Sequence, residues 1–248
     1  VALAPRRGPV HLNLPRDVLA GQAEFEPSSA RVNHRNQGVP APSADAVTEA
    51  AALLASASRP VIIAGGGIKN TAGHAAATSL AEAVGCPIVT SPGHGDAIPH
   101  GHPLNGGQMG PRGNVVASRM VKEADVIVAL GTRLGFNSTF YSYDNVNRDA
   151  KIIHIELEPT AIGRFFPIEI GIWADAVQTA ELLAAAVRTA NARALADEWT
   201  AEFQAERVQY LADRDSHADE SHPTQPSGLF KALRSVIPAE AIITMDAG

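Results

Sequence analysis

Short, uninterrupted apolar runs alternate along this chain with longer stretches in which apolar positions recur every three or four residues. The runs include Val61–Ala64 and Val126–Leu130, and their length and β-branched content indicate strands that are buried on both faces. The periodic stretches indicate amphipathic helices, and Ser43 is a suitable N-cap for the first of them. The predicted elements are, in chain order, helix 44–58, strand Pro60–Ala64, helix Thr71–Val84, strand Pro87–Thr90, helix Asn114–Glu123, strands Asp125–Leu130 and Lys151–Glu156, a helical turn near Thr160–Gly163, strand Ile168–Ile172 and helix Ala176–Ala190.

This alternation predicts an α/β fold with a doubly wound, mostly parallel sheet, because parallel strands need helical crossovers and have both faces covered. We expect the domain to occupy residues 43–190. The polar segment 27–42 reads as a linker before it, and 191–226 as a further helix, about 193–212, followed by a second linker.

The two ends carry strand-like patterns without neighbours to pair with. Val10–Leu14 alternates apolar and polar residues, and Ala241–Met245 has the composition of a buried strand, preceded by a helix-like stretch at Ser227–Val236. We expect the chain to be an excerpt of a longer polypeptide, with fragments of neighbouring α/β domains at 1–26 and 227–248. The alternative is a mature protein with short strand-like termini.

Composition narrows the functional class. The 248 residues are 45% hydrophobic and 19% charged, with a net charge of −6, which indicates a globular protein without a broad nucleic-acid footprint. The lone cysteine, Cys86, cannot form an internal disulfide and favours a reducing compartment, so we expect a cytoplasmic protein. No apolar run approaches the roughly 20 residues of a membrane span, and no membrane partner is expected.

Three loops follow predicted strands, at the edge where parallel sheets bind ligands. The first, Gly65–Asn70, starts Gly-Gly-Gly and could admit a phosphate or ribose close to its backbone. The second is Gly131–Arg133, in which the arginine suits a nucleotide diphosphate. The third is Glu156–Pro159, in which a carboxylate at a strand tip suits ribose hydroxyls. A ligand-free turn, a salt-bridging arginine and a helix-capping carboxylate are the respective alternatives.

A histidine cluster, His94, His100 and His102 with Asp96 nearby, is a weak metal candidate. Glycines and prolines make the segment a turning loop, and no cysteine pair or HExxH helix supports zinc. The sequence therefore predicts no metal ligands.

Several segments, in order, resemble thiamine-diphosphate-dependent enzymes of the acetolactate synthase superfamily. Gly8–Val18 is similar to the end of that family's pyrimidine-binding domain, and Ala241–Gly248 to the first strand of its diphosphate-binding domain. The segments similar to the central domain are Arg59–Gly67, His102–Gly110, Ala124–Arg133 and Lys151–Pro159.

Two branches of the superfamily compete. Acetolactate synthases carry an Arg-Phe-Asp-Asp-Arg run where this chain reads Arg133–Thr139, and the Gly-Thr-Arg-Leu start with a later Ser-Thr is more similar to sulfoacetaldehyde acetyltransferases. Asp96-Ala97 and Ile162-Gly163 favour the same branch. The resemblance implies that sulfoacetaldehyde and phosphate give acetyl phosphate and sulfite, with pyruvate condensation to acetolactate as the alternative.

The resemblance also implies a Rossmann-like central domain, a small-molecule substrate, a homodimer or homotetramer, and thiamine diphosphate with Mg²⁺ in the full-length enzyme. The family's catalytic glutamate and metal motif match no segment of this chain, so no catalytic residue is assigned and the excerpt alone is expected to be inactive. FAD or ADP is a possible ligand of the central domain, although the departure after Arg133 weighs against FAD. The positions that match the nucleotide face are Gly65, Gly66, Thr132, Arg133, Glu156 and Asp175.

Two readings from other classes remain open. One is a non-catalytic nucleotide-binding or regulatory module. The other is a deacetylase-like relative that uses the same sheet to bind NAD.

Overall fold

The protein is described here from a computed structural model, which covers residues 2, 8–24, 38–69, 71–190, 196–216, 225–238 and 240–244. Asn70, most of the predicted linkers and Met245–Gly248 lie outside the described residues. No helix in these ranges is long and apolar enough to cross a membrane.

Six strands form one sheet in which every neighbouring pair is parallel, in the order β3-β2-β1-β4-β5-β6. This is the order of a Rossmann fold, so the prediction of an α/β fold with a doubly wound parallel sheet is confirmed. The strands are β1 (Pro60–Ala64), β2 (Ile88–Thr90), β3 (Asn105–Gln108), β4 (Val126–Leu130), β5 (Lys151–Glu156) and β6 (Ile170–Trp173).

Helices cover both faces of the sheet, and β1, β2 and β4 are completely buried. The described α-helices are α1 (Arg16–Ala20), α2 (Ala44–Ala55), α3 (Thr71–Val84), α4 (Val115–Glu123), α5 (Phe136–Thr139), α6 (Ala176–Thr189), α7 (Asp197–Ser216) and α8 (Pro226–Val236). Helices α2, α3 and α6 pack together, and α4 packs with α7. The crossovers through α3 and α4 run in opposite directions along the sheet, so right-handed connections place these helices on opposite faces.

Local signals in the sequence explain where the elements begin. The Ser43 hydroxyl and the Asn114 side-chain oxygen accept backbone N–H groups at the starts of α2 and α4, at 3.2 and 2.7 Å. At the amino end of the sheet the Asp125 carboxylate accepts the N–H groups of Ser58 and Arg59, at 2.7 and 2.9 Å, which holds β1 in register with β4.

The strand-like patterns at the two ends form no strand in the described residues. Val10–Leu14 and residues 241–244 are exposed and form no strand. An isolated strand leaves its backbone groups unpaired, so an alternating pattern forms a strand only beside a neighbour. Helices α1 and α8 bury no residue.

Candidate functional site

The candidate site lies at the carboxyl edge of the sheet, between β1 and β4. The chain leaves β1 toward β2 and leaves β4 toward β5, so the two connections diverge and open a crevice where they part. Open α/β sheets bind ligands in such crevices. The predicted loops after β1, β4 and β5 all reach this edge.

The glycine loop after β1 is packed directly on the loop after β4. The N–H groups of Gly65 and Gly67 donate to the carbonyls of Leu130 and Gly131, at 3.0 and 2.9 Å. A Cβ on Gly65 would lie 2.4 Å from the Gly131 carbonyl oxygen, and one on Gly67 would lie 2.8 Å from the Gly131 Cα. These two glycines are therefore required by the close approach of the two backbones.

Gly66 is covered by the imidazole of His94, whose Cε1 would lie 2.9 Å from a Cβ at that position. The Nδ1 atom of His94 is buried and has no hydrogen-bond partner among the described residues. Burial lowers the pKa of His94, the cations of Lys69 and Arg133 lower it further, and Asp96 opposes them. Burial and the two cations thus favour the neutral imidazole, whose buried Nδ1 atom lacks a hydrogen-bond partner.

Lys69 and Arg133 differ in their own contacts. The Lys69 ammonium pairs with the Asp96 carboxylate at 3.1 Å. Arg133 is exposed, and no ion pair or hydrogen bond of its side chain occurs within the described ranges. Arg133 is the predicted site residue whose charge is most available to an anion.

Thr132 is buried and holds two loops together. Its hydroxyl lies 2.8 Å from the hydroxyl of Ser91, which follows β2, and accepts the N–H of Leu134 at 3.4 Å. Its carbonyl oxygen lies 2.9 Å from Nε2 of His154 on β5. Thr132 thus holds the loops around the site together, and its hydroxyl is already hydrogen-bonded within the protein.

The two predicted carboxylates cap local structure. Oε1 of Glu156 accepts the N–H groups of Leu157 and Glu158 at 2.9 and 3.2 Å. Oδ1 of Asp175 accepts the N–H of Gln178 at the start of α6, at 2.9 Å. Glu156 thus holds the turn after β5, and Asp175 serves as a helix N-cap.

A cluster of aromatic rings combines three exposed side chains from the loop after β4 with a half-buried one from the loop after β5, and the sequence did not reveal it. The rings of Phe136 and Phe140 stack with centroids 4.8 Å apart, and those of Tyr141 and Phe165 with centroids 4.3 Å apart. Phe140 and Tyr141 have φ values of 49° and 55°, which ordinary side chains rarely adopt. The pattern that could have revealed it is an aromatic pair in a loop otherwise rich in Gly, Asn and Ser.

The three clustered histidines have separate surroundings. His102 contacts the Glu82 carboxylate through Nε2 at 3.2 Å, the carbonyl of His100 accepts from Arg207, and His94 covers Gly66. No group of three or more metal-binding side chains occurs in the described part of the chain.

Comparison with known proteins shows which family the sheet and its helices match. Residues 47–183 match the family described as thiamine pyrophosphate enzyme, central domain. The chain is 31% identical to sulfoacetaldehyde acetyltransferase of Roseovarius nubinhibens, over 97% of this chain and 42% of that protein, and 34% identical to that of Alcaligenes xylosoxydans xylosoxydans, over 97% and 43%. It is 35% identical to the probable acetolactate synthase large subunit of Methanocaldococcus jannaschii, over 75% of this chain and 32% of that protein. The chain thus spans less than half the length of these relatives.

Proposed function

This chain belongs to the thiamine pyrophosphate enzyme family, of which it carries the central domain, and from this premise we propose that the full-length protein is a sulfoacetaldehyde acetyltransferase. The reaction proposed is sulfoacetaldehyde plus phosphate to acetyl phosphate plus sulfite. The observation that carries the proposal is the similarity to sulfoacetaldehyde acetyltransferases along 97% of the chain. The divergence at Arg133–Thr139 from the acetolactate synthase run supports the same branch.

The family depends on thiamine diphosphate, and we propose that Mg²⁺ accompanies it in the full-length protein. The described residues contain no carboxylate cluster suited to that ion, and we assign no reaction step to them. A homodimer or homotetramer and a cytoplasmic location are part of the same proposal.

The reaction is tested with the full-length protein supplied with thiamine diphosphate, Mg²⁺ and phosphate. We expect sulfite and acetyl phosphate to appear in equal amounts from sulfoacetaldehyde, and both to depend on phosphate. Formation of acetolactate from pyruvate, without sulfite release from sulfoacetaldehyde, would instead support the second candidate, to which the similarity to acetolactate synthases points. Absence of both reactions would favour a non-catalytic module.

We also propose that the crevice between β1 and β4 binds the phosphates of a nucleotide such as ADP or FAD. The imidazole of His94 covers Gly66, and the cations of Lys69 and Arg133 lie near enough to that imidazole to lower its pKa. Cations with N–H donors are the groups that bind phosphate. Gly65, Gly66, Thr132, Glu156 and Asp175 support this edge through the packing and capping described above.

Titration with ADP tests this second proposal. We expect Arg133→Met to weaken ADP binding at least about tenfold, since a charge-assisted hydrogen bond contributes about 1.5–3 kcal/mol. Arg148→Met is the matched control, because Arg148 is also exposed but lies just before β5, at the opposite edge of the sheet. Calorimetry that finds no ADP or FAD binding, or an equal loss in both variants, would refute the nucleotide site.

A further inference from the structure

A buried histidine beneath the crevice contacts two different loops, one with each ring nitrogen. His154 lies on β5 and is 2% exposed. Its Nε2 is 2.9 Å from the carbonyl oxygen of Thr132, in the loop after β4, and its Nδ1 is 3.3 Å from the backbone nitrogen of Gly163, in the loop after β5.

These two contacts determine the protonation state of the ring. The Gly163 N–H is a donor, so Nδ1 must accept, and the Thr132 carbonyl is an acceptor, so Nε2 must carry the hydrogen. Only the neutral Nε2–H form satisfies both partners. Burial lowers the pKa of His154, while the Thr132 carbonyl and the Glu156 carboxylate on the same strand oppose the shift.

The contacts continue across the sheet below the site. Thr132 joins Ser91 through their hydroxyls, and the N–H of Ser91 donates to the carbonyl of Ala64 at the end of β1, at 2.9 Å. Ser91, Thr132 and His154 are all buried. One chain of hydrogen bonds therefore links the carboxyl ends of β5, β4, β2 and β1.

We propose that His154 is a positioning residue that sets the loop carrying Arg133 against the loop carrying Gly163, with one nitrogen assigned to each loop. The link to ligand affinity rests on the proposed nucleotide site. Arg133 directly follows Thr132, so the bond to the Thr132 carbonyl fixes the position of the backbone from which the Arg133 side chain extends. The bond to Gly163 has no such connection to Arg133.

Two substitutions test the roles of the two ring nitrogens of His154 separately. The amide nitrogen of a glutamine can replace Nε2, so His154→Gln keeps the donor to Thr132 and loses the acceptor for Gly163. The amide oxygen of an asparagine can replace Nδ1, so His154→Asn does the reverse. Hydrogen exchange at the amides of Gly163 and Leu134 reports each loop without any ligand, because Leu134 donates to the Thr132 hydroxyl.

In the full-length protein we expect His154→Gln to accelerate exchange at Gly163 and to leave ADP affinity within about threefold of wild type. We expect His154→Asn to leave exchange at the Gly163 amide as slow as in wild type and to accelerate exchange at the Leu134 amide. The same variant should weaken ADP binding about tenfold. That loss should largely vanish when Arg133→Met is already present, because neighbouring groups that act together are not additive. Equal losses in both variants, or a loss that Arg133→Met leaves unchanged, would overturn the proposal.

The exchange data keep the two proposals distinct. If wild-type protein binds neither ADP nor FAD, the nucleotide site fails, and the positioning role is then decided by exchange alone. Separate acceleration of Gly163 and Leu134 in the two variants would support it. Parallel acceleration of both amides in both variants would overturn it.

The pH dependence of stability needs no ligand either. The unfolded histidine has a pKa near 6.5 and the folded one a lower value, so the unfolded state binds more protons between the two. The contribution of His154 is complete above about pH 6.5 and is lost as the pH falls toward the lower, folded pKa. Urea unfolding should show that the free energy of unfolding of wild type falls over this pH range by an amount that both variants lack. If the free energy has the same pH slope in wild type and in the variants, the neutral ring is contradicted.

Discussion

At the scale of single residues, the carboxyl edge of the sheet contains glycines with different tolerances. Gly65 has Gly131 and Thr132 against it, whereas Gly95, in the loop after β2, has no atom within 4 Å of an added Cβ and no positive φ. Gly65 permits close backbone contact, whereas Gly95 faces open space.

Gly65→Ala should therefore lower the free energy of unfolding by about 1–3 kcal/mol, the usual cost of overpacking. Gly95→Ala is the matched control and should change it by less than about 1 kcal/mol, with a gain expected from the stiffer unfolded chain. Urea denaturation of both variants measures the difference. Equal stability of the two would mean that the loops after β1 and β4 can separate freely.

The sequence predicted which loops meet at this edge, because the strand pattern places the loops after β1, β4 and β5 together. For Glu156 it left ribose binding and capping open, since both call for a carboxylate at that position, and in the structure Glu156 and Asp175 both accept backbone N–H groups. It also missed His94 as a neighbour of Gly66. That contact depends on the path of a long loop, which periodicity does not describe.

At the scale of elements, one arginine connects α4 with α7. Arg119 contacts the carboxylates of Glu123 at 2.9 Å, Glu202 at 3.2 Å and Glu206 at 2.7 Å. Its guanidinium also lies 5.6 Å from the ring centroid of Trp199. Partial burial lowers the pKa of Arg119, but the three carboxylates outweigh it and raise the pKa. The pairing therefore stabilises the charged guanidinium.

Arg119→Met should reduce the free energy of unfolding by about 1–2 kcal/mol, because it retains the aliphatic packing but removes a network of partly exposed ion pairs and a cation–π contact. Arg214→Met is the control, since Arg214 pairs with the adjacent Asp215 on the same helix, and a change below about 0.5 kcal/mol is expected. Thermal unfolding at low and high salt measures both. Insensitivity of the Arg119 effect to salt would argue that the ion pairs contribute little.

Elements without a strong apolar pattern were not predicted. Strand β3 reads Asn-Gly-Gly-Gln and forms because β2 offers it a partner, while the side-chain amide of Asn105 donates to the carbonyl of Pro99 at 3.0 Å. Helix α5 is a single turn. Both depend on tertiary contacts that local propensity does not contain.

At the scale of the whole molecule, the core continues past the last strand into α7. Trp199 and Phe203 are buried in the same cluster as the sheet. The Trp199 indole N–H donates to the carbonyl of Pro60 at 3.2 Å, and the Thr200 hydroxyl to that of Gly85 at 2.7 Å. The domain proposed at 43–190 therefore buries residues that lie beyond its own boundary.

A fragment of residues 38–216 should unfold in one cooperative transition, whereas a fragment of 38–190 should lose most of its stability. Removing a buried aromatic side chain costs about 3–5 kcal/mol, and the shorter fragment lacks two. Circular dichroism on heating compares them directly. Similar melting temperatures would show that α7 only covers a core that is already complete.

The parallel pairing of β1 with β4 also has a consequence for how the chain folds during synthesis. Arg59 and Asp125, which are hydrogen-bonded where the two strands begin, are 66 residues apart in the chain. At a translation rate of about 5–20 residues per second, β4 emerges about 3–13 seconds after β1. Throughout that interval the edge of β1 that will pair with β4 has no partner, so a strand from the centre of the finished sheet is an unpaired, aggregation-prone edge during synthesis.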